Sequence, residues 1–276
     1  MASNLLRAGF ELFCYNRIAP KLEKIVSLGG KAAPSLTELA RRCPFVITML
    51  PDDAAVESVY FDEGLLAGAS PGALLVDMST VSASVSRRVA KIAVASGLET
   101  LDAPVSGGEK GAVDATLSIM VGGETAAFHR AKPIFEVLGK TITHLGPAGS
   151  GQIVKAANQL LVGGIIELVA EAIVFIQAHE IDIGSALDVL AAGLGGNRIL
   201  DRKAADMLAR NFTPGFRIDL HNKDMGILLC AAREMNVPLP VGAVVAQSFV
   251  AARARGDGHL DHTALLRTIE ALAGRD

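Results

Sequence analysis

The chain has 276 residues, half of them apolar and a fifth charged, with a net charge of −3. That is enough apolar chain for one large core or two modest ones, and the mixed charges give no basic footprint for nucleic acid or for a membrane surface. Three scattered cysteines, Cys14, Cys43 and Cys230, suit neither a disulfide framework nor a metal cluster, which points to a reducing, cytoplasmic setting.

The first element is a short amphipathic helix, Ala2–Ala8, ended by Gly9. A strand, Glu11–Tyr15, follows and leads to Asn16 and Arg17. Further strands are expected at Phe45–Met49, Leu74–Asp77, Glu99–Asp102, Leu117–Val121 and Thr141–His144. Helical patterns lie between several of them, at Leu36–Arg42, Ala54–Tyr60, Ser84–Ser96 and Ala126–Leu138. This alternation predicts parallel strands with crossover helices, hence an α/β nucleotide-binding (Rossmann-type) domain over residues 1–148. From Ser150 onward the periodicity is helical throughout, so residues 149–276 form an all-α domain. "GPAGSG" serves as the hinge, and an apolar helix of roughly thirty residues, about 45 Å long, leaves it. Lys155, Asn158, Gln159, Glu167 and Glu171 on that helix argue for burial in protein rather than in a bilayer.

In open α/β sheets, ligands gather beyond the carboxyl ends of the strands, which singles out three loops. "MLPDD" follows the strand ending at Met49, with Pro51 at a first helical position. "DMSTVS" follows Asp77 and offers Ser79 and Thr80, although both loops could equally serve as helix caps. "DAPVSGGEKGA" offers the hydroxyl of Ser106 and the unhindered N–H groups of Gly107 and Gly108, a combination that can cradle a carboxylate. At the turn after the Glu11–Tyr15 strand, Asn16 and Arg17 stand where an NAD site would carry an acid, so NADP is favoured over NAD.

In "GSGQIVKAANQ", Lys155, Asn158 and Gln159 share one helix face. A lysine in apolar surroundings loses hydration, which lowers its pKa toward the range of a general acid. Lys223 and Asp224 in "LHNKDMG" begin a second apolar helix, where Lys223 is either a cofactor ligand or a charge in a first turn. The six histidines have no metal-ligand spacing, and no G-x-S-x-G elbow is present.

Seven blocks in order, "MASNLLRAG", "YNR", "MLPDDAAVESV", "DMSTVS", "DAPVSGG", "GSGQIVKAANQ" and "LHNKDMG", resemble the β-hydroxyacid dehydrogenase family, from Met1 to about Leu266. That family includes 3-hydroxyisobutyrate dehydrogenase, and "TPGFRIDLHNKD" with "KAANQ" is most similar to its tartronate semialdehyde reductase branch. The resemblance implies that Lys155 is the catalytic acid/base and that Ser106, Gly107, Gly108 and Asn158 bind the substrate. It also implies that Thr80, Lys223 and the Leu50-Pro51 backbone, with Asn16 and Arg17, serve the cofactor. The implied reaction interconverts a small 3-hydroxy acid and its semialdehyde: 2-hydroxy-3-oxopropionate and glycerate, or alternatively the 3-hydroxyisobutyrate pair. The chain departs from the family at its start, where a strand and a G-x-G-x-x-G turn of about fifteen residues would precede "MASNLLRAG". A late start codon or a fragment is therefore expected, and a non-catalytic remnant acting as an oligomerising module is the reading from another class. The missing strand would be central, between Glu11–Tyr15 and Phe45–Met49. Gly163-Gly164 allows close helix packing, which suits a homo-oligomer.

Overall fold

The computed structural model describes residues 1–275, and the chain forms two compact units, Met1–Lys155 and Ala156–Asp276. In the first unit the elements run α1 (Ala2–Arg7), β1 (Phe13–Cys14), α2 (Glu23–Ser27), β2 (Lys31–Ala32), α3 (Leu36–Arg42), β3 (Phe45–Thr48) and α4 (Asp53–Glu57). They continue with α5 (Leu65–Gly68), β4 (Leu74–Asp77), α6 (Ala83–Ala95), β5 (Glu99–Asp102), β6 (Val105–Ser106), α7 (Gly108–Val113), β7 (Leu117–Gly123), α8 (Thr125–Leu138) and β8 (Gly139–Gly146). Strands β3, β4 and β5 are parallel neighbours, as the alternation predicts. The sheet then turns mixed. β7 runs antiparallel to β5 and to β6, and β8 is parallel to β7 on its other side. The connection between β5 and β7 is taken up by β6 and the short α7, and β6 itself pairs back antiparallel onto β7.

β4 lies between β3 and β5, with all four of its residues buried. Its side chains alternate between faces, as strand geometry requires. Leu75 joins a cluster with Leu39, Val46, Val89 and Ala93, whereas Leu74 and Val76 join Leu5, Leu101, Ala131 and Phe135. Thus α3 and α6 cover one face while α1 and α8 cover the other. Each fully buried Leu or Val contributes about 1.5–3 kcal/mol relative to exposure.

The expected strand Glu11–Tyr15 is reduced to Phe13–Cys14, and its partner β2 was not anticipated. These two strands form their own parallel ladder of two rungs, Phe13↔Lys31 and Cys14↔Ala32. Among the described residues the main sheet ends at β3, and the β1–β2 ladder is separate from it. The helix expected over Ala54–Tyr60 also differs. It closes at Glu57 and continues as a π-helical turn, Ser58–Asp62, ended by Gly64 at φ 88°.

Helix α9, Ser150–Ala178, has 29 residues and passes from the first unit into the second. By length and apolarity alone it could cross a bilayer. The second unit continues with α10 (Ile183–Ala192), α11 (Arg198–Leu208), α12 (Ile218–Glu234), α13 (Pro240–Ala254) and α14 (Leu265–Leu272). Its core gathers Ile166, Ala170 and Ile173 of α9 around Met207, Met225 and Phe249.

Candidate active site

Two aspartates at adjacent strand ends organise the loops of the first unit. Asp77 closes β4 and pairs in register with Asp102, which closes β5. Both are buried. Asp77 Oδ1 accepts from Thr48 Oγ1 at 2.8 Å, Ser79 Oγ at 2.6 Å and Ser79 N at 3.2 Å. Because the Thr48 hydroxyl is donated there, Tyr60 donates its own hydroxyl to Thr48 at 3.0 Å. Ser79 Oγ in turn accepts from the Leu50 N–H at 2.7 Å, which ties the "MLP" loop to the end of β4.

Asp102 holds the start of α9. Its Oδ1 accepts from Gly149 N at 2.7 Å and its Oδ2 from Gln152 N at 3.1 Å. The first N–H groups of any helix lack partners within it, and here a strand-end carboxylate supplies them. The approach is close enough to demand glycine. A Cβ on Gly151 would lie 2.3 Å from the Met120 carbonyl oxygen, and one on Gly122 2.5 Å from Asp102 Oδ1. The Gln152 side chain completes the fastening, accepting from Val81 N at 3.1 Å and donating to Ser79 O at 2.9 Å. Three strand-end loops and the first turn of α9 are therefore one hydrogen-bonded assembly, and Lys155, only 6% exposed, sits one turn beyond it.

Burial pushes the Asp77 carboxyl above the usual aspartate range, against the pull of the Ser79 and Thr48 hydrogen bonds and with help from nearby Asp102. Burial likewise raises Asp102, opposed by the backbone N–H groups at Gly149 and Gln152.

The loop after β6 holds the residues expected to cradle a carboxylate. Ser106 is half-buried and paired in register with Ser118, while Gly107 and Gly108 are exposed at φ 139° and 66°. Those angles exclude other residues without strain, so both glycines are required by the turn. At the turn after β1, Asn16 Oδ1 accepts from Ile18 N at 2.8 Å. This local turn presents Arg17, whose guanidinium pairs with Glu63 and reaches Ser58 Oγ at 3.4 Å.

Several expected positions are corrected. Pro51 precedes the cap instead of opening the helix; Asp52 caps α4 through Ala55 N, and Ser82 caps α6. Ser79 is 1% exposed and turned inward, leaving half-buried Thr80 as the outward residue of its loop. Lys223 and Asp224 lie in the second turn of α12, since the helix begins at Ile218.

The second unit has a buried polar array of its own. Asn158 Nδ2 donates to Gln159 Oε1 at 2.8 Å, and Gln159 Nε2 donates to Asp224 Oδ2 at 2.7 Å. Asp224 Oδ1 pairs with Lys223 Nζ at 3.1 Å. His221 Nε2 meets the Gln159 carbonyl at 3.1 Å and must donate to it; His221 Nδ1, 3.0 Å from His262 Nδ1, is then the acceptor of that second bond when both rings are neutral. Two expected residues, Asn158 and Lys223, are thereby joined through Gln159 and Asp224.

Comparison with known proteins agrees with this construction. Residues 1–146 match the family described as the NAD binding domain of 6-phosphogluconate dehydrogenase. Residues 149–269 match the one described as NAD-binding of NADP-dependent 3-hydroxyisobutyrate dehydrogenase. The chain is 40% identical to 2-hydroxy-3-oxopropionate reductase of Escherichia coli, over 99% of its own length and 94% of the relative's. The chain belongs to the β-hydroxyacid dehydrogenase family. This family of NAD(P)-dependent 3-hydroxyacid dehydrogenases also contains 2-(hydroxymethyl)glutarate dehydrogenase of Eubacterium barkeri, 35% identical over 99% of this chain and 92% of that one. Among solved structures, 3-hydroxyisobutyrate dehydrogenase of Mycobacterium tuberculosis with L-serine aligns with a TM-score of 0.87 at 32% identity, covering 97% of this chain and 94% of that one.

Arg17, whose side chain is 56% exposed, stands on the turn after β1, and Leu50 and Thr80 stand in the loops that leave β3 and β4. The sequence contains no G-x-G-x-x-G.

Asp77 gives a pH test of the strand-end assembly. Its folded pKa is raised, so the folded chain holds the proton more tightly than the unfolded one. Its contribution to stability is present at acid pH and lost as pH rises through the folded value. Asp77→Asn keeps the Oδ1 acceptor and cannot ionise, so it gains stability relative to the parent as pH is raised from about 4 to about 7. Urea denaturation at both pH values measures this, and a stability difference that does not change with pH contradicts it.

Proposed function

We propose that the protein reduces 2-hydroxy-3-oxopropionate (tartronate semialdehyde) to glycerate, with NADP preferred over NAD and Lys155 as the proton donor. The observation that carries this reading is the position of Lys155, buried one turn beyond a helix start that Asp102 and Gln152 fasten to the strand ends. The similarity to the Escherichia coli reductase supports this substrate. Similarity to 3-hydroxyisobutyrate dehydrogenase keeps the methyl-bearing semialdehyde as the second reading.

A bound nicotinamide supplies the hydride that reaches the aldehyde carbon. As the carbonyl electron pair moves to oxygen, Lys155 gives its ammonium proton to that oxygen; in the oxidative direction it takes the proton back. The Ser106 hydroxyl and the N–H groups of Gly107 and Gly108 hold the substrate carboxylate, and Asn158 orients the substrate. Thr80, the Leu50-Pro51 backbone, Asn16, Arg17 and Lys223 serve the cofactor. The second unit supports assembly with another copy of the chain. Leu161, Leu168 and Phe175 recur at seven-residue intervals on α9 and are 64%, 62% and 67% exposed. The three cysteines are free, which supports a reducing, cytoplasmic setting.

Lys155→Ala is expected to lower kcat by roughly 10²- to 10⁴-fold while NADPH binding stays within about twofold. Steady-state rates on tartronate semialdehyde and on methylmalonate semialdehyde, with NADPH titrations, check both the role and the substrate. Near-normal turnover contradicts the assignment, and failure of the parent chain to bind NADPH favours the non-catalytic reading. Leu168→Glu with Phe175→Glu is expected to reduce the mass found by light scattering to one chain. A mass unchanged from the parent contradicts an interface on α9.

A further inference from the structure

The partner of Arg17 bears on how the cofactor is chosen. Glu63 comes from a separate segment, 46 residues further along the chain. It is held by more than its ion pair. Its backbone N–H donates to the Ser58 carbonyl at 2.8 Å, closing the π-helical turn Ser58–Asp62. Its Oε1 accepts from Ser58 Oγ at 2.7 Å. Gly64 follows at φ 88°, and a Cβ there would lie 2.9 Å from Thr37 Oγ1. A π turn and a left-handed glycine thus set the Glu63 carboxylate against the guanidinium, with Oε1 facing Nη2 and Oε2 facing Nε at 3.4 Å. The side chains of Arg17 and Glu63 remain 56% and 28% exposed, so an incoming ligand can reach both.

These two groups have opposite preferences. A guanidinium suits the dianionic 2′-phosphate of NADP, whereas a carboxylate accepts from the ribose hydroxyls of NAD and repels a phosphate. We propose that Glu63 is a specificity-determining residue of the dinucleotide site: by occupying Arg17 and offering an acceptor beside it, it limits discrimination against NAD. The acid that an NAD site carries at its strand end is here supplied from the far side of the turn. The inference rests on the proposed dinucleotide-dependent activity and refines its cofactor preference.

The ion pair gives the direction of change. Arg17 and the Ser58 hydroxyl hold the Glu63 carboxyl below the usual glutamate range, so it is charged at neutral pH. Glu63→Gln keeps an oxygen acceptor for Ser58 and removes the charge. Between exposed groups in water-like surroundings, like charges about 4–5 Å apart weaken binding by roughly five- to tenfold.

The test is titration of the whole chain with NADPH and with NADH, followed by nicotinamide fluorescence, for the parent, Glu63→Gln and Glu63→Ala. Because NADH is the internal reference, a general loss of fold weakens both ligands and leaves their ratio alone. The expected result is a rise of about five- to tenfold in preference for NADPH in Glu63→Gln, mainly through tighter NADPH binding, with Glu63→Ala moving the same way. An unchanged ratio with both ligands still bound overturns the role of Glu63 and leaves the dinucleotide reading intact. Absence of binding of either ligand to the parent overturns both.

Discussion

The carboxylate of Asp102 is the constraint on which the first unit's chemistry depends. A helix as long as α9 begins with N–H groups that its own backbone cannot satisfy, and burying that start without acceptors would cost about 1–3 kcal/mol per group. Asp102 meets the need from the end of β5, Gly122 of β7 and Gly151 of α9 allow the approach, and Gln152 ties the same turn to the loop after β4. Burial works against the charge that this task needs, while the N–H groups support it, and burial prevails in raising the carboxyl's pKa. The position of Lys155 relative to the ends of β4 and β5 is thus a consequence of hydrogen bonding at the helix start.

The second unit repeats the principle with different groups. A carbonyl inside α9, at Gln159, is approached by the His221 ring, which is possible because Gly163 places no side chain there; a Cβ would lie 3.1 Å from His221 Nε2. Gln159 then spends its amide on Asn158 and Asp224. Buried polar groups satisfied in this way fix the rotamers of the residues that they join, here Asn158 and the Lys223–Asp224 pair. In each unit, groups with no chemistry of their own hold residues that the family resemblance had marked as functional.

Much of the architecture was legible in the sequence because β4, β5, α6 and α8 carry unambiguous hydrophobic periodicity, and they were found within a residue or two. The reversal at β7 was not legible. Strand periodicity reports which residues face a core but not the direction of the neighbouring strand. Lys155 and the glycines of the Ser106 loop stood out by residue type and spacing. The roles of Asp102, Gln152, Asp224 and Glu63 did not, because the partners that reveal them lie 46–73 residues away in sequence. A signal was nonetheless present: two strands that both end in Asp invite the question of what those buried acids accept from. The helix position of Pro51 and the outward direction of Ser79 were misplaced because the cap at Asp52 and the buried acceptor Asp77 become visible only with the partners in space.

The measurement that bears most directly on this account is amide hydrogen exchange at the start of α9 in the parent chain and in Asp102→Asn. If Asp102 fixes the helix that carries Lys155, the Gly149 and Gln152 amides exchange as slowly as those of β5 in the parent. In the variant they exchange markedly faster, while α12 and α13 keep their rates. Rates at Gly149 and Gln152 that are the same in both proteins would contradict the account, as would a uniform acceleration across both units.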